Sequence, residues 1–130
     1  MGFSSDIMHT IVEKELKRQY PASEGWVLQP GPKKVGTNEI FSFTRRTGGK
    51  NEVVFVGITF ERKVSDELIG ELMALLKSPV ASRSVSHLAL IAPKDTDIKN
   101  VPSSVHMNWM RSFRFVDDDL LWLKHPNHRA

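Results

Sequence analysis

The chain reads as an α/β domain, a mixed β-sheet with helices on its faces. Two continuous apolar runs, "VVFVGIT" at 53–59 and "SHLALIAP" at 86–93, have the character of strands covered on both sides. Between them stands a capped amphipathic pattern, so the unit is strand–helix–strand, whose right-handed crossover makes the two strands parallel. Ahead of it, two strand-like stretches flank "TGGK" at 47–50, a hairpin signal that implies antiparallel pairing. Parallel and antiparallel pairs together give the mixed sheet.

The elements follow in order. Ser4 or Ser5 caps a first helix, in which Ile7, Met8, Ile11, Val12 and Leu16 recur at helical spacing until Pro21 ends it. "EGWVLQP" is a short strand and "GPKKVGT" a loop. "NEIFSFTRR" and "NEVVFVGITFE" are the hairpin strands. Ser65 caps a second helix, with Asp66 and Glu67 in its positive first turn and Val64 placed to staple onto Ile69. Leu68, Leu72 and Leu75, with Ile69 and Leu76, form its apolar face, and Pro79 closes it. After the "SHLALIAP" strand come a polar loop with Pro102, then "SFRFV", an acidic turn and "LLWLK".

At 130 residues, 40% hydrophobic and 25% charged, the chain suits one domain, placed at 1–124, with a polar tail at 125–130. It has no cysteine, which excludes disulfides and thiolate metal sites. The opening "MGFSSDIMHT" lacks the basic start and apolar core of a signal peptide. Asp6 stands where a myristoylation motif wants Ser or Thr. The apolar runs are too short to span a bilayer, so the expectation is a soluble cytoplasmic protein without a membrane partner. The net charge is +3 and the isoelectric point near 9.3. Placement matters more than the total: Lys33, Lys34, Arg45, Arg46, Lys50, Arg62 and Lys63 fall within one stretch of about thirty residues. They make either a phosphate-binding face on the hairpin or a solvated edge whose lysines guard against aggregation.

The leading helix, the hairpin ending in "VVFVGITFERK", the capped helix "VSDELIGELMALL" and the strand "HLALIAP" together resemble the core of the PD-(D/E)xK nuclease superfamily. This is the restriction-endonuclease-like fold of the Mrr-type enzymes and the archaeal Holliday-junction resolvases. The similarity spans roughly residues 7–123 and rests on element order and pattern. It implies DNA as the partner and a divalent ion, Mg²⁺, held by an acid on each hairpin strand. A lysine two residues beyond the second acid would share its face and steady the attacking water or the phosphoryl charge. Resolvase-like members add a glutamate from the first helix, for which Glu13 is the candidate.

Two alignments compete. If Thr47, Gly48 and Gly49 form a three-residue turn, Arg46 pairs with Lys50 and Glu39 stands opposite Gly57. Glu39 then takes the first acidic position, while Gly57 and Thr59 replace the second acid and the lysine, leaving a degenerate site with no cofactor. The other alignment reads Glu61-Arg62-Lys63 as the motif itself, with Glu39 and Glu61 as metal ligands and Lys63 beside them. In the three-residue register Glu61 lies about two pleats beyond Gly57 along the strand, so this needs a diagonal reach or a bulge. A two-residue turn would put Glu39 on the other face.

The remaining candidates are weaker. "GPKKVGTN" has glycines at phosphate-loop spacing, but Thr37 stands where lysine belongs and a strand follows. His125 and His128 lie in the tail, "VDDDLL" reads as an acidic turn, and His87 precedes a buried strand. Glu13 and Glu15 are helix-surface residues, and Trp26, Trp109 and Trp122 read as core. The leading expectation is a nuclease-like domain without catalysis that binds nucleic acid through its basic hairpin face. The rivals are a Mg²⁺-dependent DNA endonuclease using Glu39, Glu61 and Lys63, and a protein-interaction module. A homodimer is compatible with all three.

Overall fold

The computed structural model describes residues 5–30, 33–79, 84–116 and 119–122, of which 5–11, 111–112, 119 and 121–122 are described by backbone alone. Among the described residues, two helices and seven strands form the mixed α/β architecture expected. In chain order they are α1 (Ser5–Gln19), a 3₁₀ turn (Ala22–Glu24), β1 (Val27–Leu28), β2 (Lys33–Val35), β3 (Asn38–Thr47) and β4 (Lys50–Ile58). There follow α2 (Asp66–Leu75), β5 (Val85–Lys94), β6 (Val105–Val116) and β7 (Asp119–Trp122).

The sheet runs β1-β3-β4-β5-β6-β7, with β2 also paired to β3 beside β1. β4–β5 and β5–β6 are parallel, and every other pairing is antiparallel. The strand–helix–strand unit therefore gives the parallel pair its sequence implies. β4 and β5 are continuous apolar runs because both of their faces are covered: 53–59 and 88–93 are buried throughout.

Two cores result, one on each side of the sheet. On one face Val12 and Leu16 of α1 pack over Phe41, Phe43, Val54, Val56, Ile58 and Ile91. On the other, Leu68 and Leu72 of α2 pack over Ile40, Val53, Phe55, Leu88 and Leu90. The cap of α2 forms as its sequence implies, with the Leu68 N–H donating to Ser65 Oγ at 3.1 Å. Val64 and Ile69 belong to the same core. Asn100 Nδ2 donates to Val64 O and Asp66 Oδ1, both at 2.8 Å, and so ties the β5–β6 connection to the start of α2.

Three expectations need correction. "GPKKVGT" is not all loop: Lys33–Val35 forms β2, returning through Gly36 and Thr37 into β3. This strand has no apolar run because only Val35 is buried and both lysines are exposed. β6 begins at Val105 instead of near Ser112. Its first half, "VHMNWM", alternates too weakly to declare a strand, and pairing to β5 makes it one. Glu15 is buried instead of surface-exposed, with Arg18 as its ion-pair partner.

Candidate functional site

The hairpin register decides what Glu39 faces. Gly48 and Gly49 both have positive φ, 58° and 80°, as a two-residue hairpin turn of the I′ kind requires. Thr47 therefore pairs with Lys50, and nine consecutive pairs run down the hairpin without a shift. Glu39 stands opposite Ile58, and Gly57 opposite Ile40. The three-residue turn and the Glu39–Gly57 pairing are thus overturned. The physical reason is that two adjacent glycines supply both left-handed positions, so Thr47 stays in the ladder.

The consequence is a change of face. Glu39 lies on the α1 side, where Lys34 Nζ is 2.9 Å from its Oε1. Gly57 lies on the α2 side, directly beneath the helix. A Cβ there would meet Leu72 Cδ1 and Leu90 Cδ1 at 3.1 Å and Leu68 Cδ1 at 3.5 Å. Glycine at 57 lets α2 approach the sheet, a packing role with no space for a carboxylate. Thr59 is buried, and its Oγ1 accepts from the Glu61 N–H at 3.1 Å.

Glu61 and Lys63 lie just past the C-terminal end of β4. Thr37 Oγ1 donates to Glu61 Oε1 at 3.1 Å, and Nδ2 of the buried Asn38 reaches Oε2 at 3.5 Å. Glu39 is paired with Lys34 instead, and no bulge shifts the β3–β4 pairing to join the two glutamates. Lys63 is exposed and bridges in parallel to Asp97. Among the described residues, no three His, Asp or Glu groups converge on a space that could hold a metal ion. Glu13 is exposed on α1.

The basic residues separate into two groups at opposite ends of the hairpin. At the end near Ile58, Lys33 pairs with Glu71 at 2.7 Å and Lys34 with Glu39. There Arg62 Nη1 donates to Asp95 O at 2.6 Å, with its guanidinium 5.5 Å from the Phe115 ring. Asp95 sits at φ 66°, a left-handed position that Asp tolerates, and pairs with Arg114 Nε at 2.7 Å. At the turn end, Arg45 pairs with Glu52 at 3.1 Å and lies 4.3 Å from the Trp26 ring centroid. Of the seven, Lys33, Lys34 and Arg45 pair with carboxylates and Arg62 is held by the Asp95 carbonyl and the Phe115 ring, while Arg46, Lys50 and Lys63 make no ion pair among the described residues. His87 is 3.7 Å from Glu52 and half exposed. His125, His128, Asp117 and Asp118 lie outside the described residues, as does the side chain of Trp122.

A concavity with a chemical character lies elsewhere, between α1 and the β1–β3 edge. It measures about 410 Å³, and its walls include Val12, Leu16, Tyr20, Trp26, Phe41 and Phe43. Its exposed lining adds Glu13 and Lys17 from α1 and Leu28 from β1. The rings are organised: Tyr20 stacks on Phe43 at 4.9 Å and meets Trp26 edge-on at 5.4 Å. Burial pushes the Tyr20 phenol up from its ordinary value near 10 to about 12. Val27 and Leu28 beside the groove are 59% and 48% exposed. Sequence reasoning missed this site, although Pro21, Trp26 and the β3 phenylalanines were all legible as separate elements. The groove exists because Pro21 ends α1 and the chain doubles back before β1, which no local pattern records. Comparison with family models, with curated proteins and with solved structures finds no match for this chain.

Proposed function

We propose that this chain is a non-catalytic binding domain on a restriction-endonuclease-like plan, and that its partner is a protein segment inserting an apolar side chain between α1 and the β1–β3 edge. The observation that carries this is the groove itself: about 410 Å³, walled by aliphatic and aromatic side chains, with few polar groups at its margin. A small molecule would need the cavity alone. The adjoining exposed Val27 and Leu28 extend the apolar surface beyond it, which favours a macromolecular partner that covers both.

Nucleic-acid binding through the hairpin is the weaker account. Lys33, Lys34 and Arg45 each face a carboxylate, so phosphate contact would have to displace an ion pair at each. The metal-dependent nuclease is weaker still, because Glu39 pairs with Lys34, Glu61 is held by Thr37 and Asn38, and among the described residues no three acidic or histidine groups converge.

The test selects peptides from a random library against the intact chain and measures their affinity for the native protein and for Leu28→Arg. Peptides with one large apolar anchor should be recovered. Their binding should fall at least about tenfold in Leu28→Arg, equivalent to about 1.4 kcal/mol, with the circular dichroism spectrum unchanged. Equal binding to both proteins contradicts the groove. Duplex DNA binding that weakens steeply with salt, and less steeply when Arg46, Lys50 and Lys63 are neutralised, would favour the nucleic-acid account instead.

A further inference from the structure

The two edges of the sheet are treated differently. At the β1/β2 edge the strands are two and three residues long, Pro30 stands between them, and Lys33 and Lys34 are exposed. Short strands, proline and lysine are the usual means of preventing strand addition. At the other side β6 is 12 residues long, and among the described residues β7 pairs with Phe113–Val116. The first half of β6, from Val105 to Met110, pairs with β5 on its inner side. Among the described residues nothing pairs with its outer side. That open length reads "VHMNWM", with no lysine, arginine, carboxylate or proline.

We infer that this edge pairs with the same edge of a second copy of the chain, joining the two sheets into one. Identical strands pair antiparallel about a two-fold axis normal to the sheet, an operation that keeps each face on its own side. On the α2 face, Val105, Met107 and Trp109 of one copy meet the same three residues of the other. Val105 already belongs to the α2-side core, and Met107 packs against it, so the joined stripe is a continuation of that core. Trp109, 36% exposed in one copy, is covered. On the other face His106 and Asn108 meet their counterparts, and no like charges face each other along the seam. The absence of charge that leaves the edge unguarded makes it self-complementary.

The test is sedimentation of the intact chain across a concentration series, with amide hydrogen exchange on the same samples. The native protein should approach twice its 14.7 kDa mass, with the outward amides of 105–110 protected in step with the dimer fraction. Trp109→Lys, at an exposed position, should keep the native circular dichroism spectrum and shift the protein to the monomer. Asn108→Pro, which removes a donor from the strand, should do the same. A protein that stays monomeric at every concentration overturns the inference. So does a dimer unaffected by Trp109→Lys, or an edge protected equally in the monomer, which would show that residues of the same chain occupy it.

Discussion

Gly57 shows how one residue can carry two opposite meanings. The resemblance read from the sequence would put a metal-binding carboxylate at this position, yet its surroundings are three leucine methyl groups that a Cβ would touch at 3.1–3.5 Å. Gly57→Ala is expected to cost roughly 1–3 kcal/mol through overpacking, read as a lower urea midpoint at unchanged slope. Gly57→Glu buries a charge beneath α2 and should cost at least about 4 kcal/mol, so it destabilises the fold instead of rebuilding a metal site. A Gly57→Glu protein as stable as the native one would contradict this packing. Tyr20 offers a cleaner probe, because the chain has a single tyrosine. Absorbance titration of the phenolate should give a midpoint near 12 in the folded protein. The raised value means that stabilisation from the protonated phenol is complete below the unfolded value near 10 and disappears as pH rises toward 12, a loss of no more than about 2–3 kcal/mol. A midpoint near 10 with the fold intact would place Tyr20 in water.

Among the elements, α2 and the two buried strands were legible because several signals coincide in each. Ser65, Asp66 and Glu67 mark the start of α2, and its leucines mark the face. Ser65→Ala should therefore cost about 1 kcal/mol by removing the acceptor for the Leu68 N–H, measurable in the same urea series. An unchanged midpoint would mean that water replaces the cap at no loss. The hairpin was legible as a hairpin but not in register, and a one-residue difference in the turn moved Glu39 from one face to the other. "TGGK" permits both a two-residue and a three-residue loop. In the fold both glycines take left-handed positions, which is the two-residue loop. That register agrees with burial of Phe41 and Phe43 under α1 and of Ile40 under α2, partners that lie fifteen or more residues away in sequence. β2 and the first half of β6 were missed for a related reason. Edge strands have one pairing partner and an exposed side, so their composition follows solvent instead of the core.

For the whole molecule, a sheet covered on both faces leaves its edges and margins as the places to bind. The groove under α1 and the β6 edge, which is unpaired on its outer side over 105–110 among the described residues, are the two places that the proposed binding role would use. Neutralising Arg62 and Lys63 together is expected to leave peptide binding unchanged, since both lie past the C-terminal end of β4 and neither lines the groove. A loss of peptide affinity in that double variant would move the site to the Glu61 end of the sheet. The most direct measurement is chemical-shift mapping of the intact, isotope-labelled chain titrated with a short peptide carrying one central tryptophan. The groove account predicts saturable shifts concentrated at Val12, Leu16, Tyr20, Leu28, Phe41 and Phe43. Shifts that leave these residues still and concentrate at Lys63, Arg46 or Lys50 would contradict it.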